Sequence, residues 1–192
     1  VSGPDDPVGA QIPGPVGDVS PLAAGAVLAR GGASPPVSLW VVVIGRDPGP
    51  RLERCLRSLA GERVVYVDSG SRDGSPARAE AFGARVVRLE RPPFSAARGR
   101  NAGWREVSRR DPAARWLQFV DGDCELLPGW LECARDELSR DPSLALVCGR
   151  LREREPERSL YQRLCDLEWD QPPGEIEACG GLFLARAAAL RE

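Results

Sequence analysis

The sequence of 192 residues contains neither histidine nor lysine, so arginine supplies all 26 of its basic side chains. Without histidine, the chain cannot form a Ser-His-Asp triad, a histidine general base or a histidine-ligated zinc site from its own residues. The 28 acidic residues leave a formal net charge of −2, which excludes nucleic-acid binding through an excess of basic charge. Methionine is also absent, and we expect the chain to be a piece of a longer or processed protein.

Cysteine pairs and long apolar runs are absent as well. The six cysteines are Cys55, Cys124, Cys133, Cys148, Cys165 and Cys179. None stands in a C-x-x-C pair, which argues against a zinc ribbon or a thioredoxin-type site, and we interpret them as buried small hydrophobic side chains in a reducing compartment. No apolar run approaches the roughly 20 residues of a membrane-spanning helix, and no basic segment precedes one as in a signal peptide. We therefore predict a cytoplasmic location and no membrane segment in this chain.

Two regions of different composition divide the sequence. Residues 1–36 contain seven prolines, seven glycines, no aromatic residue and only four charged residues. Such a segment cannot bury enough surface to offset its conformational entropy. We predict that residues 1–36 form a disordered tail or linker and that residues 37–192 form one folded domain.

Strand-like and helix-like segments alternate from residue 38 onward. Continuous β-branched runs and helical spacing of apolar residues predict strands at 38–44, 63–67, 84–89, 115–120 and 144–148, and helices at 51–59, 73–82, 96–108 and 128–138. A further helix is predicted at 159–167 and a further strand at 178–184. This order predicts an α/β fold with a mostly parallel central sheet flanked by helices on both faces. Ligands bind such sheets at the carboxyl ends of the strands.

The strongest local signal is the segment Asp121-Gly122-Asp123, which follows an apolar strand. Glycine permits a sharp turn and leaves space for a ligand. Carboxylate oxygens suit hard cations such as Mg²⁺ and Mn²⁺, and two carboxylates would leave coordination positions for diphosphate oxygens. An ordinary turn with solvated carboxylates is the competing interpretation.

Two other classes of site share parts of this pattern. An EF-hand loop is disfavoured because its sixth position is Leu126 rather than glycine and because Pro128 lies inside it. A phosphatase of the haloacid-dehalogenase type would use Asp121 as nucleophile, but its motif opens the domain, whereas about three strands come first here. The phosphatase remains an alternative.

The end of the second predicted strand carries polar groups. Asp68 could accept hydrogen bonds from a nucleobase or ribose, and Ser69 and Gly70 could present backbone amides to an anion. A plain strand-to-helix turn with an N-cap explains the same residues. Gly45 and Arg46 follow the first strand, so the fold would bring them to the same edge of the sheet.

Two later segments are also candidates. Arg100 and Asn101 lie near the start of the helix predicted at 96–108, where an arginine fork would match phosphate oxygens, although exposed helix residues are equally ordinary. Gly180 and Gly181 would allow the close approach of a ligand or of another backbone segment.

Taken in order, these segments resemble the family 2 glycosyltransferases. The resemblance covers roughly residues 37–191 and rests on the first strand with the helix after it, the Asp68 segment, Arg100-Asn101, Asp121-Gly122-Asp123 and Gly180-Gly181. It implies the Rossmann-like GT-A architecture and the metal-assisted, inverting transfer of a sugar from a UDP- or GDP-type donor to a saccharide or lipid-linked acceptor. Polysaccharide biosynthesis, in the cytoplasm or at the inner face of the membrane, is the implied setting.

The resemblance also implies roles for individual residues. Asp123 would hold the Mn²⁺ or Mg²⁺ ion, and Gly180 and Gly181 would lie on the acceptor side. The nucleotide-sugar site would comprise Gly45, Arg46, Asp68, Ser69, Gly70, Arg100, Asn101, Asp121 and Gly122.

The sequence departs from the family pattern in three places. These are the loop after its first strand, the pair Asp68-Ser69 where the family usually has two aspartates, and its end. The family's catalytic carboxylate lies some tens of residues beyond the Gly-Gly segment, whereas this sequence ends at Glu192. We expect the base to lie beyond Glu192, and the domain to be incomplete at its C-terminus. A nucleotide-sugar binding module without turnover is therefore the second hypothesis. A nucleotidyltransferase is disfavoured because no glycine-rich basic loop lies near residue 45.

Overall fold

The computed structural model describes residues 38–170, 172, 174–176 and 179–191. The tail predicted at residues 1–36 lies outside these described residues, as does residue 178 at the start of the last predicted strand. The residues described below all belong to the unit Ser34–Glu192.

The described residues form one sheet with helices packed against it. The strands are β1 (Leu39–Gly45), β2 (Val64–Asp68), β3 (Arg85–Arg88), β4 (Trp116–Asp121), β5 (Leu146–Cys148) and β6 (Phe183–Arg186). The α-helices are α1 (Arg51–Ser58), α2 (Ser75–Ala81), α3 (Ala96–Arg110), α4 (Trp130–Arg140) and α5 (Leu160–Glu168), with short 3-10 helices at Pro156–Arg158 and Ala188–Leu190.

The sheet confirms the predicted α/β class and its mostly parallel character. Its six strands have the order β3-β2-β1-β4-β6-β5. The neighbours β3, β2, β1 and β4 are parallel, whereas β6 is antiparallel to both β4 and β5. The register places Gly45 beside Asp68 and Ile44 beside Asp121. The ends of β1, β2 and β4 therefore meet at one edge, as the alternating pattern predicts.

The two faces of the sheet bury separate apolar clusters. In β1, Val41 and Val43 pack with side chains of α1, α2 and α4, whereas Val42 and Ile44 pack on the opposite face with side chains of α3. Successive strand residues point to opposite faces, so a continuous β-branched run is what a strand covered on both sides requires. This arrangement anchors the strand ends from both sides.

Most boundaries of the helices and strands lie within two residues of the prediction, and two of the differences are described here. Helix α4 begins at Trp130 rather than at residue 128, because Gly129 has a φ of 83° and forms the N-cap. Strand β6 begins at Phe183, five residues after the predicted start, because the preceding Gly181 packs against Asp121.

The cysteines do not share the buried environment that we predicted. Only Cys55 is buried, and Cys133 on α4 is exposed, while the other four are partly buried. All six are free thiols. The prediction was wrong because cysteine type alone does not reveal which face of a helix or loop a residue occupies.

A carboxylate on α3 makes a pH-dependent contribution to stability. Hydrogen bonds from Arg110 above all, and also from Arg109 and Arg85, lower the pKa of Glu106 to about 2. The folded-state pKa is below the unfolded value of roughly 4.3. The stabilisation is therefore complete above that value and is lost as the pH falls toward about 2.

We expect Glu106→Gln to lower the free energy of unfolding at pH 7 by about 1 to 2 kcal/mol, because three guanidinium groups lose their charged acceptor. The difference in free energy of unfolding between wild type and variant should shrink as the pH falls from 5 to 3. Urea unfolding curves recorded at each pH measure this difference. Glu80→Gln is the matched control, since Glu80 pairs with one exposed arginine, Arg88. A wild-type-to-variant difference that stayed constant down to pH 3 would contradict the assignment.

Candidate functional site

A cavity of about 340 Å³ opens at the carboxyl ends of β1, β2 and β4. Six of the candidate residues line it: Gly45, Arg46, Ser69, Asp121, Gly122 and Asp123. Six further residues complete the lining: Ile44, Pro48, Arg51, Phe94, Ser95 and Ala96. The cavity lies where parallel α/β sheets bind their ligands.

Asp121 is held between α3 and the segment before β6. The Nη2 atom of Arg100 donates to Oδ1 of Asp121 at 3.1 Å, and the guanidinium lies over the Phe183 ring, with Cζ 5.8 Å from the centroid. Gly181 packs so closely that an added Cβ would lie 1.8 Å from Oδ2 of Asp121. Helix α3 and the segment before β6 thus fix this carboxylate in the lining of the cavity.

The environment of Asp121 opposes its ionisation overall. Burial raises the pKa of the carboxyl, the charge and hydrogen bond of Arg100 partly offset this, and the negative charge of Asp123 raises it further. A cation bound beside Asp121 would favour the ionised form of its carboxyl. Cation binding and ionisation of Asp121 would therefore reinforce each other.

Asp123 stands at the mouth of the cavity, where its side chain is about half exposed and lies 3.7 Å from Nη1 of Arg51. The turn between the two carboxylates is tied to β1, because the Gly122 N–H donates to the Ile44 carbonyl at 2.7 Å. A Cβ at Gly122 would lie 3.2 Å from that carbonyl oxygen. Glycine therefore allows the close approach that places Asp123 beside the cavity.

Asp68 is almost fully buried and shapes the loop after β2. Its carboxylate accepts hydrogen bonds from the backbone N–H groups of Gly70 and Ser71, at 3.1 Å each. The Ser69 N–H donates to the Gly45 carbonyl at 2.9 Å. Asp68 thereby holds Ser69 at the cavity wall, and its contact with a nucleobase stays a prediction.

The loops after β1 and β2 are joined by side chains that the sequence analysis did not connect. The Asp47 N–H donates to Oγ of Ser71 at 2.9 Å, and the Arg72 N–H donates to Oδ1 of Asp47 at 2.6 Å. The Gly49 N–H donates to Oδ2 of Asp73 at 2.7 Å. These bonds give the cavity a wall that does not depend on a bound ligand.

The remaining candidates lie outside the cavity lining. Asn101 is exposed on α3, and Gly180 is exposed beside Leu151. Sequence reasoning missed Arg51 and Phe94 as lining residues. Arg51 could have been noticed as the first residue of a helix that follows a strand end, whereas Phe94 lies in a proline-containing loop with no motif to mark it.

The donor set fits a hard cation that is shared with an anionic ligand. Asp121 and Asp123 both face the cavity. Within the described part of the chain, no group of three or more Asp, Glu or Cys side chains is arranged to enclose a metal ion. One or two carboxylates leave most coordination positions of Mn²⁺ or Mg²⁺ to oxygens of the ligand and to water.

The sequence matches the family model described as glycosyl transferase family 2 over residues 38–180. Because the match spans well over half of the chain, the chain belongs to this family, as the order of its motifs predicts. The family assignment does not support the dehalogenase-type alternative. None of the described helices is both long enough and apolar enough to cross a membrane.

One curated protein and several solved structures are similar to this chain over most of its length. A TPR repeat-containing protein of Synechococcus elongatus is 32% identical over 146 residues, which are 74% of this chain and 34% of that protein. Glucosyl-3-phosphoglycerate synthase from Mycobacterium tuberculosis, solved with UDP, shares the fold with a TM-score of 0.54 at 22% identity, over 80% of this chain and 58% of that one. A crystal structure of the same synthase with Mn²⁺, UDP-glucose and phosphoglyceric acid matches with a TM-score of 0.54 at 20% identity, over 80% and 57% of the two chains.

The fold match confirms the GT-A architecture. The chain spans about a third of the curated relative and somewhat over half of the mycobacterial synthase.

Proposed function

We propose that this chain binds a nucleotide-diphosphate sugar, of the UDP or GDP type, and transfers the sugar to an acceptor hydroxyl. The observation that carries the proposal is the cavity at the ends of β1, β2 and β4, with two carboxylates on its β4 side. Family membership supports this function. So does the shared fold with a synthase solved with UDP-glucose and Mn²⁺.

The carboxylates and arginines at the cavity would have separate roles in binding the donor. Asp123, with Asp121 behind it, would hold a divalent cation, which would neutralise the charge that develops on the departing diphosphate. Arg51, now 3.7 Å from Asp123, could turn its guanidinium to diphosphate oxygens. Arg100 keeps Asp121 oriented at the end of β4, where the carboxylate would meet a ribose or sugar hydroxyl.

The proposal also covers the acceptor and the stereochemistry of the transfer. We propose a saccharide or lipid-linked acceptor, inversion at the anomeric carbon, and a role in polysaccharide synthesis. We assign no catalytic base among the described residues, since both cavity carboxylates are paired with arginines. A second candidate function is nucleotide-sugar binding without turnover, because the lining of the described cavity holds no carboxylate beyond the two assigned to the cation. The release of free nucleoside diphosphate in the presence of acceptor would distinguish transfer from binding alone.

The test is a calorimetric titration of UDP and GDP into the chain, with and without Mn²⁺. We expect one nucleotide to bind, and Asp123→Asn to weaken its Mn²⁺-dependent binding by at least about tenfold, ~1.4 kcal/mol. Glu125→Gln is the matched control, because Glu125 lies two residues further on and pairs with Arg54 and Arg154 outside the cavity lining. If neither nucleotide bound to the folded chain, or if Asp123→Asn bound as wild type does, the proposal would be wrong.

A further inference from the structure

A second cavity, of about 360 Å³, opens at the opposite edge of the sheet, where β4 begins and β6 ends. Three of its seven lining residues are arginines, and none of the seven is acidic. We call it the arginine cavity. It is lined by Pro112, Ala113, Ala114, Arg115, Arg186, Ala188 and Arg191. The other four lining residues are small or apolar, so the polar character of this cavity comes from its guanidinium groups.

Each of the three guanidinium groups lies against a tryptophan ring. The Cζ atoms of Arg115 and Arg186 are both 5.1 Å from the centroid of the Trp116 ring, which is only 2% exposed. The Cζ atom of Arg191 lies 5.8 Å from the centroid of the Trp104 ring. Such contacts attract a cation to the ring face without neutralising its charge. The three cations are therefore placed before any ligand binds.

Arg186 is fixed further by the carbonyl groups that follow the end of α4. Its Nε atom donates to the Leu144 carbonyl at 2.6 Å, and its Nη2 atom donates to the Asp141 carbonyl at 2.9 Å and to the Leu138 carbonyl. Its Nη1 atom forms no hydrogen bond to a described residue. Carbonyl acceptors orient the guanidinium and leave it with its full positive charge and a free donor group.

The other two arginines also keep donors for a ligand. Arg191 donates from Nη2 to the Pro112 carbonyl at 2.8 Å, which uses one of its five N–H groups. Arg115 is exposed, and among the described residues its side chain has no hydrogen-bond or ion-pair partner. Its guanidinium is held only by the tryptophan ring.

The acidic side chains next to the arginine cavity in the sequence are already occupied. Asp111 pairs with Arg63 at 3.2 Å and accepts a hydrogen bond from Nε1 of Trp40 at 3.0 Å. Asp141 accepts hydrogen bonds from the backbone N–H and the hydroxyl of Ser143, at 2.8 and 2.6 Å. Neither carboxylate forms an ion pair with a cavity arginine. The cavity thus holds three positive charges that no described acid neutralises.

We propose that the arginine cavity binds a phosphate monoester, carried by a small soluble molecule or by a lipid headgroup. Such a group has a charge of about −1.5 to −2 at pH 7 and three acceptor oxygens, so each guanidinium finds an acceptor. Guanidinium forks match phosphate oxygens in shape as well as charge. A volume of about 360 Å³ lies within the range of small-molecule sites, which begins near 300 Å³.

The arginine cavity is separate from the cavity that holds Asp121. Arg115 directly precedes β4, and Asp121 is the last residue of that strand. A strand rises about 3.3 Å per residue, so about 20 Å separates the two positions. One small ligand cannot fill both cavities. The inference therefore goes beyond the proposed function and does not depend on it.

The first test titrates inorganic phosphate into the full chain at constant ionic strength without Mn²⁺, and follows the indole N–H signals of Trp104 and Trp116 by NMR. We expect saturable binding. Arg115→Gln and Arg191→Gln should each weaken it by about tenfold, because each removes a charged donor. Arg105→Gln is the matched control, since Arg105 is an exposed arginine of α3 outside the cavity lining. It should bind phosphate within about twofold of wild type, because a distant exposed charge is screened.

Vesicles distinguish the two sources of the phosphate group. The chain is sedimented with vesicles of phosphatidylcholine alone, or with vesicles in which about one fifth of the lipid is phosphatidic acid, whose headgroup is a phosphate monoester. Binding to the second kind only, lost in Arg115→Gln, would assign the cavity to a lipid headgroup. Phosphate binding without vesicle binding would assign it to a soluble phosphate ester. Either result supports the site.

Three results would overturn the site: no binding of phosphate or of the acidic vesicles by the folded chain, unchanged binding in both Arg115→Gln and Arg191→Gln, or an equal loss in Arg105→Gln. The last would mean that binding follows overall charge. Asp123→Asn should bind phosphate as wild type does, and a loss in that variant would place the phosphate in the other cavity. Arg186 is left unchanged because it also holds the end of α4, whereas Arg115 and Arg191 are exposed, so their variants should fold.

Discussion

Gly181→Ala is expected to reduce Mn²⁺-dependent nucleotide binding by at least about tenfold, ~1.4 kcal/mol, although residue 181 presents no functional group. A Cβ there would lie 1.8 Å from Oδ2 and 2.2 Å from Cγ of Asp121, distances that no relaxed structure tolerates. The carboxylate would have to move, and the 3.1 Å hydrogen bond from Arg100 would break. Calorimetric titration of the nucleotide into wild type and variant measures the loss.

The neighbouring glycine provides the matched control. A Cβ at Gly180 would meet only the Cδ1 atom of Leu151, at 3.0 Å, which is the end of a flexible side chain. Gly180→Ala should therefore bind nucleotide within about twofold of wild type, ~0.4 kcal/mol, whatever it does to an acceptor. If folded Gly181→Ala bound nucleotide as tightly as Gly180→Ala does, the position of Asp121 would not depend on Gly181.

A double variant distinguishes a clash with the Asp121 side chain from strain in the backbone around residue 181. Overpacking at a buried site destabilises by about 1 to 3 kcal/mol, and here the crowded group is the Asp121 side chain itself. In an Asp121→Ala background, Gly181→Ala should therefore lower the unfolding temperature little further, because the clash is gone. An equal loss of stability in both backgrounds would place the strain in the backbone instead.

The local pattern of the sequence predicts the fold and one half of the candidate site. β-branched runs at Val41 to Ile44 and Val64 to Val67 indicate strands buried on both faces, and the alternating helices make these strands parallel. Parallel register then brings Gly45, Asp68 and Asp121 to one edge. These steps need only periodicity and chain order, which are properties of short segments.

The other half of the site depends on contacts between segments that are far apart in the sequence. Arg51 reaches Asp123, Arg46 reaches Phe94, and the segment before β6 reaches Asp121. The last contact exists because β6 enters the sheet between β4 and β5, and nothing in the local sequence of β6 specifies that position. No short-range pattern marks Phe94 as a cavity residue, since its role depends on the fold of the loop at Gly70.

Gly103 allows α3 to pack closely against the sheet, because a glycine has no Cβ. Gly103→Ala is therefore expected to destabilise the protein. A Cβ at Gly103 would lie 2.2 Å from Cγ1 of Val42, which is completely buried in the middle of β1. We expect a net loss of about 1 to 3 kcal/mol, after the gain in helix propensity of up to about 1 kcal/mol. For a chain of this size, the unfolding temperature should fall by roughly 3 to 10 °C.

Gly99→Ala is the matched control, one helical turn earlier on the same face of α3. Its Cβ would lie 3.2 Å from Cγ2 of Ile44, a contact that a small shift of the side chain relieves. Its unfolding temperature should therefore stay much closer to that of wild type. If both variants lost a similar amount of stability, the whole face of α3 would be intolerant of an added methyl group, and the close contact at Gly103 would not be the specific cause.

The Gly103 contact also connects the fold to the site, because Arg100 lies between these two glycines on α3 and must reach Asp121. If Gly103→Ala lifts the helix from Val42, Arg100 moves away from Asp121, and nucleotide binding falls together with stability. In a Val42→Ala background the added methyl group has space, so Gly103→Ala should lose less stability there than in wild type, with a coupling of at least about 1 kcal/mol in the double-mutant cycle. Nucleotide binding by Gly103→Ala should recover together with stability in this background. Additive losses, or stability recovered without binding, would show that the height of α3 above the sheet does not position Arg100.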